Sequence, residues 1–308
     1  MDTNMILYGT NPIAWSNDDD HSIGAHLSLD DCLSDCRTIG FDGIEKGHKM
    51  PNEGSALKAA LGEYGLRFVG GWHSTNILAT GATLETEMAA LDVHIAMTKG
   101  AGSDVVVLCE CSNAVHGNDQ VAVNDRPILS DEEWDRLMEG LNALASHAAA
   151  QGVRACYHHH MGTCVESADD VDRFMAAAGP DLKLLLDTGH LTFAGADPEA
   201  VAQKYMDRVG HIHCKNVRAD IMAQVRNQGL SFIEGVRRGA FTVPGDVEGC
   251  VDFTAVLKVA AKAGYSGWLV IEAEQDSAIR DPLHYQSMGH EALRRMARDA
   301  GLDRDAAA

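Results

Sequence analysis

LKLLLDTGH, residues 182–190, carries an apolar run straight into an aspartate and, three positions later, a histidine. The run has strand length and no alternation, the pattern of a strand buried on both faces in a parallel sheet covered by helices. Outward from it the same unit recurs. Strands are expected at MILYGT (5–10), GIEKG (43–47), LRFVGGW (66–72), SDVVVLCE (103–110), VRACYHH (153–159), LKLLLD (182–187), VGHIHC (209–214) and GWLVIEAE (267–274). Segments of helical period fill the gaps. Ser28 caps SLDDCLSDCRTIG and Gly40 closes it; Ser130 caps the segment 129–152, with Glu133 at the capping-box position and Gly152 as its stop. Eight βα units without a Pro/Gly-rich linker imply parallel strands in a single (β/α)8 barrel over residues 1–308. A doubly wound open sheet is the alternative, weakened because no G-x-G-x-x-G follows the first strand. Two connections, 112–127 and 216–249, exceed ordinary loops. The second has helical spacing and is expected to form a helical insertion over the barrel mouth, with packing between subunits of a homo-oligomer as the competing reading.

Composition narrows the function. The formal charge is −20, from 45 acidic against 25 basic residues, which repels phosphate backbones and leaves no basic stripe for nucleic acid. No apolar run approaches the roughly 20 residues that span a bilayer. MDTNMILYGTNPIAW has no basic region followed by an apolar one, so a cytoplasmic location is expected. The eight cysteines lie largely in or beside strand-like runs and are read as reduced, buried thiols. SNDDD (16–20) and the C-terminal RDAGLDRDAAA read as solvated faces rather than sites.

The strand ends are unusually polar. In order they offer Asn11, Glu45, His73, Glu110, His158 with His160, Asp187 with His190, His211 with His213, and Glu272 with Glu274. In a (β/α)8 barrel these ends converge on one face. Carboxylates and imidazoles gathered in one cavity would repel or suffer desolvation costs of several kcal/mol, and a divalent cation relieves both. Mixed nitrogen and oxygen ligands suit Mn²⁺, Co²⁺, Fe²⁺ or Zn²⁺ better than Ca²⁺. Side chains two apart share a face, so His158 and His160 point together and His159 away.

GFDGIEKGHKMP, GWHST, CYHHHMGT, LLLDTGHLTFAG, HIHCKNVR and GWLVIEAEQD, in order across almost the whole chain, resemble the inosose dehydratases of myo-inositol catabolism. Those enzymes belong to the xylose-isomerase-like and endonuclease-IV-like TIM-barrel superfamily. The resemblance implies loss of water from 2-keto-myo-inositol, a polyol ketone, to give a trihydroxycyclohexane-dione. It implies Mn²⁺ or Co²⁺ as cofactor, raises glutathione as a second one, and carries Asp187, His213 and Glu272 over as metal ligands. The fourth ligand position, Glu in the related ketose epimerases, is taken here by His158. Dehydration requires a cation on the ketone oxygen, a base for the α-proton and an acid for the leaving hydroxyl. His73, His190, Lys215 and Lys49 are the candidates for proton transfer, and Glu45, Glu110, His160 and Asn11 for substrate binding. A metal-dependent keto-sugar isomerase or epimerase of the same superfamily is the alternative activity.

Overall fold

The computed structural model describes residues 5–303. Its strands are β1 (Ile6–Thr10), β2 (Gly43–Ile44), β3 (Arg67–Phe68), β4 (Gly71–Thr75), β5 (Val105–Glu110), β6 (Arg154–His158), β7 (Leu182–Asp187), β8 (Val209–His213), β9 (Asn216–Val217), β10 (Phe241–Thr242) and β11 (Gly267–Ile271). Nine of them form one parallel sheet in the order β3-β2-β1-β11-β8-β7-β6-β5-β4. The two ends of this list, β3 and β4, are halves of one extended stretch interrupted at Val69–Gly70. The sheet therefore closes on itself through its own backbone, and the fold is a TIM barrel, as the eight βα units imply.

The helix signals act as read. Leu29–Ile39 carries a capping box between Ser28 and Asp31 and ends at Gly40, whose φ of 90° only glycine adopts without penalty. Asp131–Ala150 has the Ser130–Glu133 capping box. Strand parity divides the apolar residues into two layers. Val106, Leu108, Ala155, Tyr157, Leu184, Leu186, Ile212 and Ile271 belong to the large core between sheet and helices. Val105, Val107, Cys156 and Leu185, with Trp72 against them, form the smaller cluster inside the barrel.

Between β7 and β8 the register slips: Leu184 pairs with Val209 and Leu185 with His211, so Gly210 is the extra residue of a bulge. A Cβ on Gly210 would lie 2.7 Å from Cys156 Sγ and 2.8 Å from Lys183 Cβ, so the bulge needs a residue without a side chain. After the bulge, Asp187 pairs with His213 at the rim.

The long connection after β8 forms helices Ala219–Gln228 and Phe232–Arg238 above an antiparallel β9–β10 pair. Val217, Val225, Phe232, Ile233, Val236 and Phe241 give it a separate apolar core that reaches Phe193, Met161 and Val123 from the barrel rim. Arg218, 2% exposed, ties it together through Glu248, Asp246, Thr242 and the carbonyls of Gly239 and Phe241. Among the described residues no helix is long and apolar enough to cross a membrane.

Candidate active site

The polar strand ends meet at the C-terminal rim of the barrel. Asp187, fully buried, caps the short helix Thr188–Phe193: its Oδ1 accepts from the His190 backbone N–H at 2.7 Å. Among the described residues its Oδ2 has no hydrogen-bond partner, and neither does Nε2 of the equally buried His158, 3.6 Å away. His158 is held by its other nitrogen, 2.6 Å from the His159 carbonyl. Glu272 Oε2 lies 3.9 Å from His158 Nε2, 2.8 Å from His213 Nδ1 and 3.0 Å from Lys215 Nζ. Donor atoms of His158, Asp187, His190 and Glu272 all fall within 4.8 Å of one another. With the His158 Nδ1–H donating to the His159 carbonyl, Nε2 is a bare lone pair like Asp187 Oδ2. Two buried, unpartnered electron-pair donors facing one spot are costly as they stand, and a cation between them satisfies both. The residues thus fit a divalent metal, with nitrogen and oxygen donors from separate strands.

A second layer orients the first. Glu45, 2% exposed, accepts from His211 Nε2 at 2.9 Å and lies 3.1 Å from His213 Nε2; its other oxygen accepts from Asn11 Nδ2 at 2.8 Å. Burial works against its charge, but the two imidazoles outweigh it and hold the carboxyl at about 2. Burial likewise opposes the His213 imidazolium, and Glu45 and Glu272 override it, raising His213 well above the usual histidine range. Lys215 is fully buried, with Nζ 2.8 Å from His190 Nε2 and 2.8 Å from Glu274 Oε2, above the Phe241 ring. Burial alone would lower its ammonium; Glu272, Glu274 and Asp187 reverse that and raise it. Burial pushes the Glu274 carboxyl up and the His160 and His190 rings down.

A cavity of about 360 Å³ opens above Glu272 and Glu274 and is lined further by Asn11, Trp72, Ser74, Asp19, His116 and His160. Its size falls within the range of roughly 300–1,000 Å³ common for small-molecule sites. Lys215 stands behind its floor, held to Glu272 and Glu274, with His190 Nε2 2.8 Å and Asp187 Oδ2 3.8 Å from its Nζ.

Four expectations are corrected. His73 is not in the site: in β4 it is Trp72 and Ser74 that face the cavity, and His73 turns outward against His94 of the helix Leu84–Ala101, ring centroids 5.3 Å apart. Glu110 also faces away, with both oxygens engaged by Thr75 Oγ1, the Ile77 and Leu78 N–H groups and Ser112. Lys49 is spent on the carbonyls of Gly24 (2.8 Å) and Leu27 (2.5 Å), anchoring a loop. Glu45, expected at the substrate, has both oxygens on protein partners and orients His213 instead. His159 does turn away from the cavity, yet it is buried and its Nε2 accepts from the Asp187 backbone N–H at 3.3 Å.

The acidic stretch read as a solvated face supplies Asp18 and Asp19 to the cavity wall, and the long loop after β5 supplies His116. Period-two reading of GWHST marks Trp72, with Ser74, as an alternative to His73. No periodicity marks Asp19 or His116, because both sit on loops whose course is set by tertiary contacts.

The xylose isomerase-like TIM barrel family matches residues 33–296. The rhizopine catabolism protein MocC of Rhizobium meliloti is 41% identical over 297 residues, covering 96% of this chain and 90% of its own. An inosose dehydratase of Geobacillus thermodenitrificans is 38% identical over 293 residues, 94% of this chain and 97% of its own. Among solved structures, the IOLI protein with a bound zinc atom superposes with a TM-score of 0.61 over 96% of each chain at 15% identity, a likeness of fold alone. The chain therefore belongs to the xylose isomerase-like TIM barrel family and, within it, to the hydro-lyases related to inosose dehydratase.

Proposed function

We propose that the enzyme removes water from 2-keto-myo-inositol to give a trihydroxycyclohexane-dione, with a divalent cation, Mn²⁺ or Co²⁺, at the cavity floor. The observation that carries this reading is the pair of unpartnered buried atoms, Asp187 Oδ2 and His158 Nε2, 3.6 Å apart beside Glu272. It is supported by relatives named inosose dehydratase and by the zinc in the IOLI neighbour. Asp187, Glu272, His158 and His213 would hold the ion, which when bound takes up negative charge from a ketone oxygen, worth several kcal/mol in a water-poor site.

The chain's own residues divide the remaining work. Trp72 offers an apolar wall, while Ser74 and His160 present polar atoms along the same cavity, a mixture suited to a ring with a C–H face and a rim of hydroxyls. Asn11, expected at the substrate, lines the wall with Oδ1 and Nδ2 engaged by the Ile13 N–H and Glu45. Glu274 lines the cavity and is anchored by Lys215, which places a carboxylate beside the substrate to accept the α-proton. Lys215 adds fixed positive charge behind the floor, where an enolate would gather negative charge.

The test is to incubate protein stripped and reloaded with Mn²⁺, Co²⁺ or Zn²⁺, with and without glutathione, with 2-keto-myo-inositol and to follow dione absorbance. Dione formation that is lost with chelator and restored by metal is expected. No dione, together with turnover of a free ketohexose, would give the site to the isomerase or epimerase reaction instead.

A further inference from the structure

We propose that His116, acting with Asp19, is the acid that protonates the departing hydroxyl; this rests on the dehydration reading above. His116 Nε2 and Asp19 Oδ1 lie 3.8 Å apart on the cavity wall, too far for a hydrogen bond to each other and close enough to grip one hydroxyl oxygen between them. The imidazole N–H can donate to that oxygen while the carboxylate accepts its hydrogen.

Three further observations single out this pair. A group that gives up a proton in every turnover must be reloaded from water. The side chains of Asp187 and Lys215 are 0% exposed, whereas those of His116 and Asp19 are 13% and 25% exposed, at the open end of the same cavity. The pair is also built into place from both sides. Asn17 Oδ1 accepts from the backbone N–H groups of Asp19 and Asp20 at 2.8 Å each, and Val115 N–H donates to the Gly162 carbonyl at 2.8 Å. Arg237, on the lid helix Phe232–Arg238, joins the two loops, with one guanidinium nitrogen 2.7 Å from Asp20 and the other 2.8 Å from Asp119. Finally, the surroundings suit a proton donor. His116 packs against Trp72, Phe232 and His160, with Asp19 its nearest carboxylate and Glu272 and Glu274 across the cavity. Burial holds the imidazole below its ordinary value, so that its proton is readily given up, and Asp19, acting in the opposite sense, stabilises the protonated ring that donates it.

The α C–H bond breaks, its proton passing to the base on the inner wall and its electron pair forming the enolate. As the hydroxyl leaves, the enolate returns to ketone and that pair becomes the Cα=Cβ bond of an enol. The enol then gains a proton on its β-carbon and loses its O–H proton to give the dione. The β C–O bond breaks as the His116 N–H proton joins that oxygen, and water leaves through the mouth. Solvent reprotonates His116 and takes the proton from the base.

Acid catalysis at the C–O bond predicts a separation of two rates in the same enzyme. Wild-type, His116→Asn and Asp19→Asn proteins, loaded with metal, are given 2-keto-myo-inositol in D2O. Dione formation is followed by absorbance, and exchange of the α-hydrogen for deuterium in remaining substrate by mass spectrometry. Dehydration should fall about 100-fold in His116→Asn and about tenfold in Asp19→Asn, with exchange persisting in both, since enolisation does not need the acid. Exchange and dehydration lost in parallel in both variants, or undiminished dehydration in His116→Asn, would overturn the assignment. If the wild-type protein forms no dione, the dehydration reading fails first, and that result is distinct from either variant outcome.

Discussion

Asp187 shows how a single carboxylate can serve fold and chemistry at once. One oxygen caps a helix, and the other faces His158 without a partner. A buried carboxylate oxygen left unpaired costs at least about 1–3 kcal/mol, so its retention beside an unpaired imidazole nitrogen points to a ligand that binds both. Asp187→Asn keeps the cap acceptor and removes the charge; metal content measured by mass spectrometry after desalting should drop from near stoichiometric to below a tenth, and activity with it. Stoichiometric metal in that variant would mean that other residues bind the ion. Trp72 and His73 make a second contrast between adjacent residues with opposite directions. Trp72 lies 5.5 Å, ring to ring, from both His158 and His160, so Trp72→Ala should lower kcat/KM at least about tenfold. His73→Ala, on the helix side, should stay within about twofold of wild type in the same assay.

At the level of elements, what the sequence disclosed follows from which forces are local. Periodicity and caps are local, so the βα alternation, the Ser28 and Ser130 caps and a set of polar strand ends converging on one rim were legible, while the choice of Asp187, His213 and Glu272 among those ends came from the family resemblance. The direction of β4 was not, because the break at Val69–Gly70 moves the strand start to Gly71 and leaves His73 in phase with the outward-facing Thr75. Glu110 fell to the same parity, being in phase with the outward Val106 and Leu108. The roles of Asp19 and His116 depend on a lid more than 100 residues away along the chain, a relation that carries no periodic signature. That lid gives its own test. Arg237→Ala leaves Asp20 and Asp119 without their shared cation, which should loosen both mouth loops and raise KM about three- to tenfold with a smaller change in kcat. Steady-state kinetics would read this, and an unchanged KM would show that the two loops hold their places unaided. The β7–β8 bulge gives another: Gly210→Ala forces a methyl group against Cys156 and Lys183 and should cost about 1–3 kcal/mol in denaturant unfolding.

For the molecule as a whole, a closed barrel that buries many histidines couples stability to pH. Burial pulls His290, packed between Tyr8 and Phe41 and away from the cavity, down to about 4, and it pulls His94 to about 4. In the unfolded chain both imidazoles titrate near 6.5. Between these values the unfolded state binds more protons, so each histidine contributes stability that is present above pH 6.5 and is lost as pH falls toward 4. Glu166 works in the opposite sense: burial raises it to about 7, so its contribution is present below about 4.5 and is lost as pH rises through 7. On acidification His94 and His290 therefore act together and against Glu166. Urea unfolding at pH 7 and pH 5 should therefore show a lower free energy at pH 5. His290→Gln should shrink the difference, because its neutral amide does not titrate, and Glu166→Gln should enlarge it by removing the opposing contribution. Equal stability at the two pH values, or a difference that neither variant alters, would mean that these buried groups do not set the acid limit of the fold.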